Sequence, residues 1–170
     1  MYGNNINSND ANSTLVVSAI AKGTSGTASA VTAGTNSANG QTVVGDYGTL
    51  KIGADGSYSY TVNQNNATVQ ALNTGTNVSE QFTYTVKDPG GLTSTATITV
   101  TVNGANDAPI VANVIADTTA TAGTAFSYTV PAGSFTDVDN ATLSYSATFA
   151  DGSALSTKGL SINASTGAIT

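Results

Sequence analysis

Polar and apolar residues alternate one by one along most of this chain. In TATITVTV, residues 95–102, threonine alternates with alanine, isoleucine and valine. The same alternation occurs at 14–20, 57–62, 81–86, 125–130 and 143–149. Successive side chains of a β-strand point to opposite faces of the sheet, so each stretch predicts a strand with one face in a core and one Ser/Thr-rich face in water. Such strands are typical of antiparallel sandwiches, and we therefore expect an all-β fold.

Turn and cap residues separate these strands. ADGS at 54–57 and KDPGGL at 87–92 predict hairpin turns. In NNATVQAL, residues 65–72, two apolar residues are spaced at helical distance behind a potential N-cap at Asn66, which predicts a single helical turn. Residues 21–48 are rich in Gly, Ala, Ser and Thr, and we expect two weak strands and a long loop there.

The chain also resembles itself, which indicates two related domains. Residues 9–20 align with residues 137–148, and residues 48–60 align with residues 159–170. The two copies are offset relative to one another, so they start and stop at different strands of the same fold.

We assign residues 1–104 to a first module and residues 105–170 to a second. An immunoglobulin-like sandwich has about seven strands in roughly 100 residues. By the alignment, the first module is expected to lack its first strands and the second its last two. The expected architecture is a tandem of immunoglobulin-like (cadherin-like) antiparallel β-sandwiches, both incomplete at the chain ends.

The charged and titratable residues exclude several functions. Four basic residues stand against ten acids, giving a net charge of −6, whereas nucleic-acid binding requires clustered cations. The chain has no Cys and no His, which removes zinc–thiolate sites and Ser–His or Cys–His nucleophile pairs. No stretch approaches the roughly 20 apolar residues of a membrane helix. We therefore expect no enzyme activity, no nucleic-acid partner and no membrane insertion. Glu80, at the start of a predicted strand, is expected to face solvent.

Acidic and amide side chains cluster at two places. NGANDAPI, residues 103–110, lies at the seam between the modules, and FTDVDN, residues 135–140, lies in a later loop. If 110–116 and 125–130 are the first two strands of an immunoglobulin-like order, the later loop lies at the same pole as the seam. Calcium prefers carboxylate and amide oxygens of this kind. Carboxylates gathered at one pole repel each other unless a cation joins them.

The sequence therefore predicts a calcium site at the junction of the modules. Its candidate ligands are Asp107, Asp137, Asp139, Asn106, Asn103 and Asp117. By the self-alignment, Asn9 and Asp10 form a further candidate pair. A plain loop is the alternative interpretation, because Asn and Asp clusters are also ordinary turn formers.

Motifs along the first module resemble a known repeat. Residues 45–109 contain YGTL, ADGSYSYT, the helical turn, the strand FTYTV, a GG hairpin and the terminal NGANDAP. Together they resemble the VCBS repeat of large bacterial surface adhesins. Residues 110–170, through IADTTATAGTAFSYTVPAGSFTDVDNATLSYSA, resemble a dystroglycan-type cadherin-like module.

This resemblance implies a function. Such modules stand in long arrays in repetitive adhesins of the RTX and biofilm type, which are exported by type I secretion and often bind calcium between modules. It implies an extracellular protein of the bacterial cell surface. Its partners would be neighbouring repeats of the same polypeptide or chains of the same type, with any cell-surface or matrix ligand bound by other domains.

We therefore expect a structural repeat of a secreted adhesin, stiffened by calcium at the linker. Two other functions stay open. One is a subunit of an extracellular filament or matrix, completed by strands of neighbouring chains. The other is a glycan- or protein-binding module, which would need an exposed aromatic surface, whereas the tyrosines of the alternating strands fall on core-facing positions.

Overall fold

Seven strands between residues 16 and 103 form two antiparallel sheets. The computed structural model describes residues 14–170, which divide into two compact units with the boundary between Gly104 and Ala105. The strands of the first unit are β1 (Val16–Lys22), β2 (Ser29–Ala30), β3 (Gln41–Val44), β4 (Gly48–Ile52), β5 (Tyr58–Val62), β6 (Asn77–Lys87) and β7 (Thr93–Asn103). One sheet has the order β2-β1-β6-β7 and the other the order β3-β4-β5. The all-β prediction is confirmed.

The core of the first unit is built from the inward residues of both sheets. Ile20 from β1, Leu50 and Ile52 from β4, and Phe82 from β6 are all at most 1% exposed. Tyr60 of β5 packs edge-on against Phe82, with ring centroids 6.3 Å apart. The period-two pattern thus separates a dry face from a Ser/Thr-rich face, as the pleat of a strand requires.

A β-bulge shifts one predicted apolar face. The alternation places Leu15, Val17 and Ala19 together, but Leu15 is 60% exposed and the buried residues of β1 are Val17, Ile20 and Ala21. The register of β1 against β6 shifts between Val17 and Ala19. An extra residue at a bulge changes which of the following side chains face inward. Tyr58, also predicted to face the core, is 54% exposed at the first residue of β5.

The helical turn and a hairpin turn form where the sequence predicts them. Helix α1 (Ala67–Gln70) begins behind Asn66, whose side-chain oxygen accepts hydrogen bonds from two N–H groups of the first turn at 3.0 and 3.1 Å. Between β6 and β7, Asp88 Oδ1 accepts a hydrogen bond from the N–H of Leu92 at 2.8 Å. Short polar side chains close both turns by bonding nearby backbone groups.

Glu80 is buried, which corrects the expectation that it faces solvent. It is 7% exposed, and its carboxylate accepts hydrogen bonds from the N–H of Asp46 (2.6 Å), the N–H of Tyr47 (3.2 Å) and the hydroxyl of Tyr60. These donors compensate the buried charge and tie β6 to the turn between β3 and β4. A Cβ at Gly45 would overlap this carboxylate, so any larger residue there would displace it from its donors. Burial, together with the hydrogen bond to Glu80, raises the pKa of Tyr60 above its ordinary value.

The second unit has much shorter ladders. Strand β8 (Ile110–Val111) pairs with β10 (Phe135–Thr136), and β9 (Tyr128–Thr129) pairs with β11 (Ala168–Ile169), both antiparallel. A 3-10 helix spans Leu155–Lys158. No apolar side chain of this unit is buried, whereas the first unit has a continuous buried cluster.

Residues 143–149, which were predicted to form a strand, show the alternating burial of a strand. They form no regular ladder with a neighbouring strand. The odd-numbered residues are partly buried and the even-numbered residues are exposed. The N–H of Tyr145 donates to the carbonyl of Ala164 at 2.8 Å, and Thr148 takes part in an isolated bridge. The strand predicted at 110–116 likewise pairs only over its first two residues. Alternation depends on extended backbone alone, but a regular strand also needs a neighbour along its length.

The described residues of the first unit supply seven strands, the number of a full immunoglobulin-like sandwich. The number of strands does not identify which strands of the sandwich they are, so the expected loss of the first strands here and of the last two in the second module stays a prediction. Neither α1 nor the 3-10 helix is long enough to cross a membrane, and no other helix of residues 14–170 meets that requirement.

Truncating Phe82 should strongly destabilise the first unit. The ring is fully buried, so Phe82→Ala leaves a cavity and should lower the free energy of unfolding by about 3–5 kcal/mol. The matched control is Leu92→Ala, at a side chain 78% exposed, which should change it by less than about 0.5 kcal/mol. Urea unfolding followed by circular dichroism measures both. Equal losses would contradict the position of the core.

The Tyr60 hydroxyl should make the first unit sensitive to alkali. Because its pKa is raised in the folded state, its contribution to stability is complete below the ordinary tyrosine pKa of about 10 and is lost as pH rises through the folded value. Wild type should therefore lose stability relative to Tyr60→Phe above about pH 10. Urea unfolding over an alkaline pH series measures this difference. Tyr58→Phe, at an exposed ring, should follow the wild type; a pH-independent difference for Tyr60→Phe would refute the assignment.

Candidate functional site

The pairing of β8 with β10 brings two polar segments of the second unit together. Thr136 lies opposite Ile110 in antiparallel register. The residues that precede β8 therefore lie beside the residues that follow β10. The N–H of Asp107 donates to Asp139 Oδ2 at 3.1 Å, which places the two segments in direct contact.

Asp137 shapes the loop that follows β10. Its Oδ1 accepts hydrogen bonds from the N–H of Asp139 (3.1 Å) and the N–H of Asn140 (2.8 Å), the arrangement of an Asx turn. Asn140 Nδ2 also donates to Asp137 Oδ1 at 3.1 Å and to Asp139 Oδ1 at 2.8 Å. Both carboxyl groups are therefore directed at the same point.

The side-chain amide of Asn140 lies at the centre of these oxygens. Besides the two carboxyl groups, its Nδ2 donates to Asn106 Oδ1 at 3.2 Å. One nitrogen is thus within hydrogen-bond distance of three side-chain oxygens from two segments of the chain. We call Asn106, Asp137, Asp139 and Asn140 the acid–amide cluster.

The two carboxyl groups of the cluster interact directly. The hydrogen bond between them lowers the pKa of Asp137 and raises the pKa of Asp139. Two ionised carboxylates at this separation repel each other, and either a shared proton or a cation relieves the repulsion. Above the raised pKa the proton is lost, so the cluster then favours a cation.

The cluster supplies donors of the kind that calcium takes. The carboxylates of Asp137 and Asp139 and the amide oxygen of Asn106 are hard oxygens, and calcium binds six to eight of these. Water and backbone carbonyls would have to complete the shell. Within residues 14–170 no three Asp, Glu, His or Cys side chains come together. Asp107 contributes its N–H here, and calcium ligation by its carboxylate stays a prediction.

The other predicted ligands have different positions in the fold. Asn103 is the last residue of β7 in the first unit, opposite Asn77 in the ladder. Asp117 is exposed on an irregular segment of the second unit. Asn9 and Asp10 lie outside the described residues. For all of these residues, calcium ligation stays a prediction.

Two structural features of the polar residues were not predicted from the sequence. The first is the central position of the Asn140 amide, which follows from the Asx turn. In the sequence, the signal for it was that Asn140 directly follows an Asp-x-Asp motif. The Glu80 anchor depends on a turn 34 residues earlier in the chain, which no local pattern indicates.

Two family models match the chain and together cover nearly all of it. The model described as "Bacterial cadherin-like domain" matches residues 3–104, and the one described as "Putative Ig domain" matches residues 108–170. No curated protein and no solved structure matches the sequence. These matches support cadherin-like and immunoglobulin-like modules, while the narrower resemblance to a VCBS repeat and a dystroglycan-type module stays a prediction.

Removing one carboxyl group of the pair should normalise the other. In Asp137→Asn, the hydrogen bond that raises the pKa of Asp139 is altered and the repelling charge is gone, so Asp139 should titrate closer to about 3.9 than it does in wild type. NMR titration of the side-chain carboxyl carbons in the presence of chelator measures this shift. The Asp55 carboxyl, capped by Ser57 in the first unit, is the internal control. An unchanged Asp139 titration would show that the two groups are independent.

Proposed function

Because this chain belongs to the bacterial cadherin-like domain family, we propose that it is a structural repeat segment of a secreted adhesin on the bacterial cell surface. A cadherin-like match followed by an Ig-domain match supports a tandem of sandwich modules. Modules of these families are generally non-enzymatic, so the proposed role is mechanical: to extend the polypeptide and hold a binding domain away from the cell. The identification as a VCBS repeat followed by a dystroglycan-type module belongs to this proposal.

Calcium binding in the second module is the next part of the proposal. The observation that carries it is the convergence of Asp137 and Asp139 on one point, joined there by the oxygen of Asn106. Bound calcium would neutralise the two carboxylates and cross-link the loop after β10 to the segment before β8. Asp107, Asn103 and Asp117 are further candidate ligands from the sequence.

Stiffening of the linker is the proposed consequence. The segment before β8 also joins the two modules, so an ion held there would restrict the backbone of the linker. Pro109 acts in the same direction because its ring fixes its own φ and favours extended geometry at Ala108. The chain would then be flexible without calcium and extended with it.

Calorimetry with calcium tests the proposed site. Wild type should bind calcium, and the double variant Asp137→Asn/Asp139→Asn should lose at least about tenfold in affinity, because both charged ligands are replaced. The matched control is Asp55→Asn/Asp151→Asn, which removes two carboxylates from hairpin turns where asparagine keeps the turn. Equal affinity in the wild type and the Asp137/Asp139 variant would disprove the assignment.

Small-angle scattering tests the mechanical role on the same proteins. The maximum dimension of wild type should be larger in calcium than in chelator, and the Asp137/Asp139 double variant should show no such difference. Calcium binding without any change in dimension would leave the site in place and contradict the stiffening.

An extracellular filament completed by strands of neighbouring chains is the alternative function. The observation that favours it is the absence of buried apolar side chains in the second unit.

A further inference from the structure

The second unit contains an open apolar groove. It has a volume of about 480 Å³, and its walls include Tyr128, Val130, Leu143, Tyr145 and Ile162. These side chains are only partly buried. They come from three alternating segments, so the groove is the uncovered inner face of a sandwich.

The first unit shows what covers the same face in the related module. In the self-alignment, Leu50 and Ile52 of β4 correspond to Leu160 and Ile162. The β4 residues are at most 1% exposed and belong to one cluster with Phe82 of β6. Their counterparts in the second unit remain partly exposed. A strand like β6, which we call a β6-type strand, is the covering element. It is present in the first unit and absent from the described residues of the second.

The backbone beside the groove is also suited to a strand. Residues 14–20 align with 142–148, and in the first unit this segment forms β1, which pairs with β6 over Val16–Lys22. In the second unit Ser144 and Ser146 lie at the groove wall, and residues 143–149 have no regular ladder. Residues 143–149 have only local backbone contacts, from Tyr145 to Ala164 and from Thr148 and Phe149 to residues 153–154, so no strand of the described residues pairs with them along their length. A strand edge that lacks a regular partner is a template for strand addition.

We propose that the groove binds an extended, uncharged segment of the β6 type, which adds as an antiparallel strand to residues 143–149. Its side chains would alternate between aromatic or aliphatic residues, which enter the groove, and threonine, which faces water. QFTYTV, residues 81–86, has this pattern. The named groove residues carry no charge, so a charged side chain directed inward would lose its hydration without gaining a partner. The inference is independent of calcium and of the proposed stiffening.

The test uses the full 170-residue chain and a synthetic peptide of residues 81–86, QFTYTV, labelled at its N-terminus and amidated at its C-terminus so that it carries no charge. The peptide should bind saturably with one-to-one stoichiometry, measured by fluorescence anisotropy of a labelled terminus. Hydrogen exchange should show new protection of the amides at 143–149. The control peptide exchanges Phe82 with Thr83, which keeps the composition and breaks the alternation. It should bind at least about tenfold more weakly, because one aromatic ring must then face water.

A matched pair of variants tests the position of the strand. Val130→Thr places a hydroxyl in the groove wall without changing the shape of the side chain, and it should weaken the peptide by about tenfold. Val114→Thr makes the same change at a side chain 89% exposed and should leave binding unchanged.

Three outcomes would overturn the proposal. Equal binding of the two peptides would show a non-specific apolar surface. Equal effects of the two Val→Thr variants would place the peptide elsewhere. A dimer in sedimentation that excludes the peptide would show that a second copy covers the groove.

Discussion

A strand with one apolar face is stable only when another layer covers that face. In the first unit Phe82 of β6 closes against Leu50 and Ile52 of β4, and all three are removed from water. Burying side chains of this size contributes roughly 1.5–3 kcal/mol each. The turns, the helical turn and the bulge of β1 position strands whose stability depends on that contact. Where the cover is absent, as in the second unit, the same alternation gives only short ladders.

Polar contacts reinforce the pairing of β8 with β10 in the second unit. The carbonyl of Ser134 accepts hydrogen bonds from the N–H groups of Ala112 and Asn113 at 2.9 and 3.2 Å, extending the contact between the β8 and β10 segments. The acid–amide cluster continues this contact at the other end of the pair. Ion binding at such a cluster would be coupled to folding, because the ligand positions exist only when the two segments are paired.

The sequence predicts the parts of this structure that depend on local pattern. The positions of β1, β5, β6 and β7 follow from alternation, and the helical turn follows from Asn66. The bulge between Val17 and Ala19 is not predictable in this way, because it depends on the partner strand rather than on β1. The burial of Glu80 has the same origin, since its donors come from a distant turn. The contact of Asp107 with Asp139 agrees with the pole predicted from the immunoglobulin-like strand order, but it is made by the pairing of β8 with β10, which lies in the predicted loop 135–140.

The two acidic sites of the chain differ in how their charge is balanced, and this difference separates a structural role from a binding role. Glu80 is a single carboxylate that meets two backbone N–H groups and one hydroxyl, so its charge is fully compensated by fixed donors. Asp137 and Asp139 are two carboxyl groups that accept from the backbone N–H groups of Asp107, Asp139 and Asn140 and share the side-chain amide of Asn140. Once the shared proton is lost, these four donors face two negative charges, whereas the three donors of Glu80 face one. A closed, compensated carboxylate fixes a turn, whereas an under-compensated pair at the surface has a reason to recruit a cation.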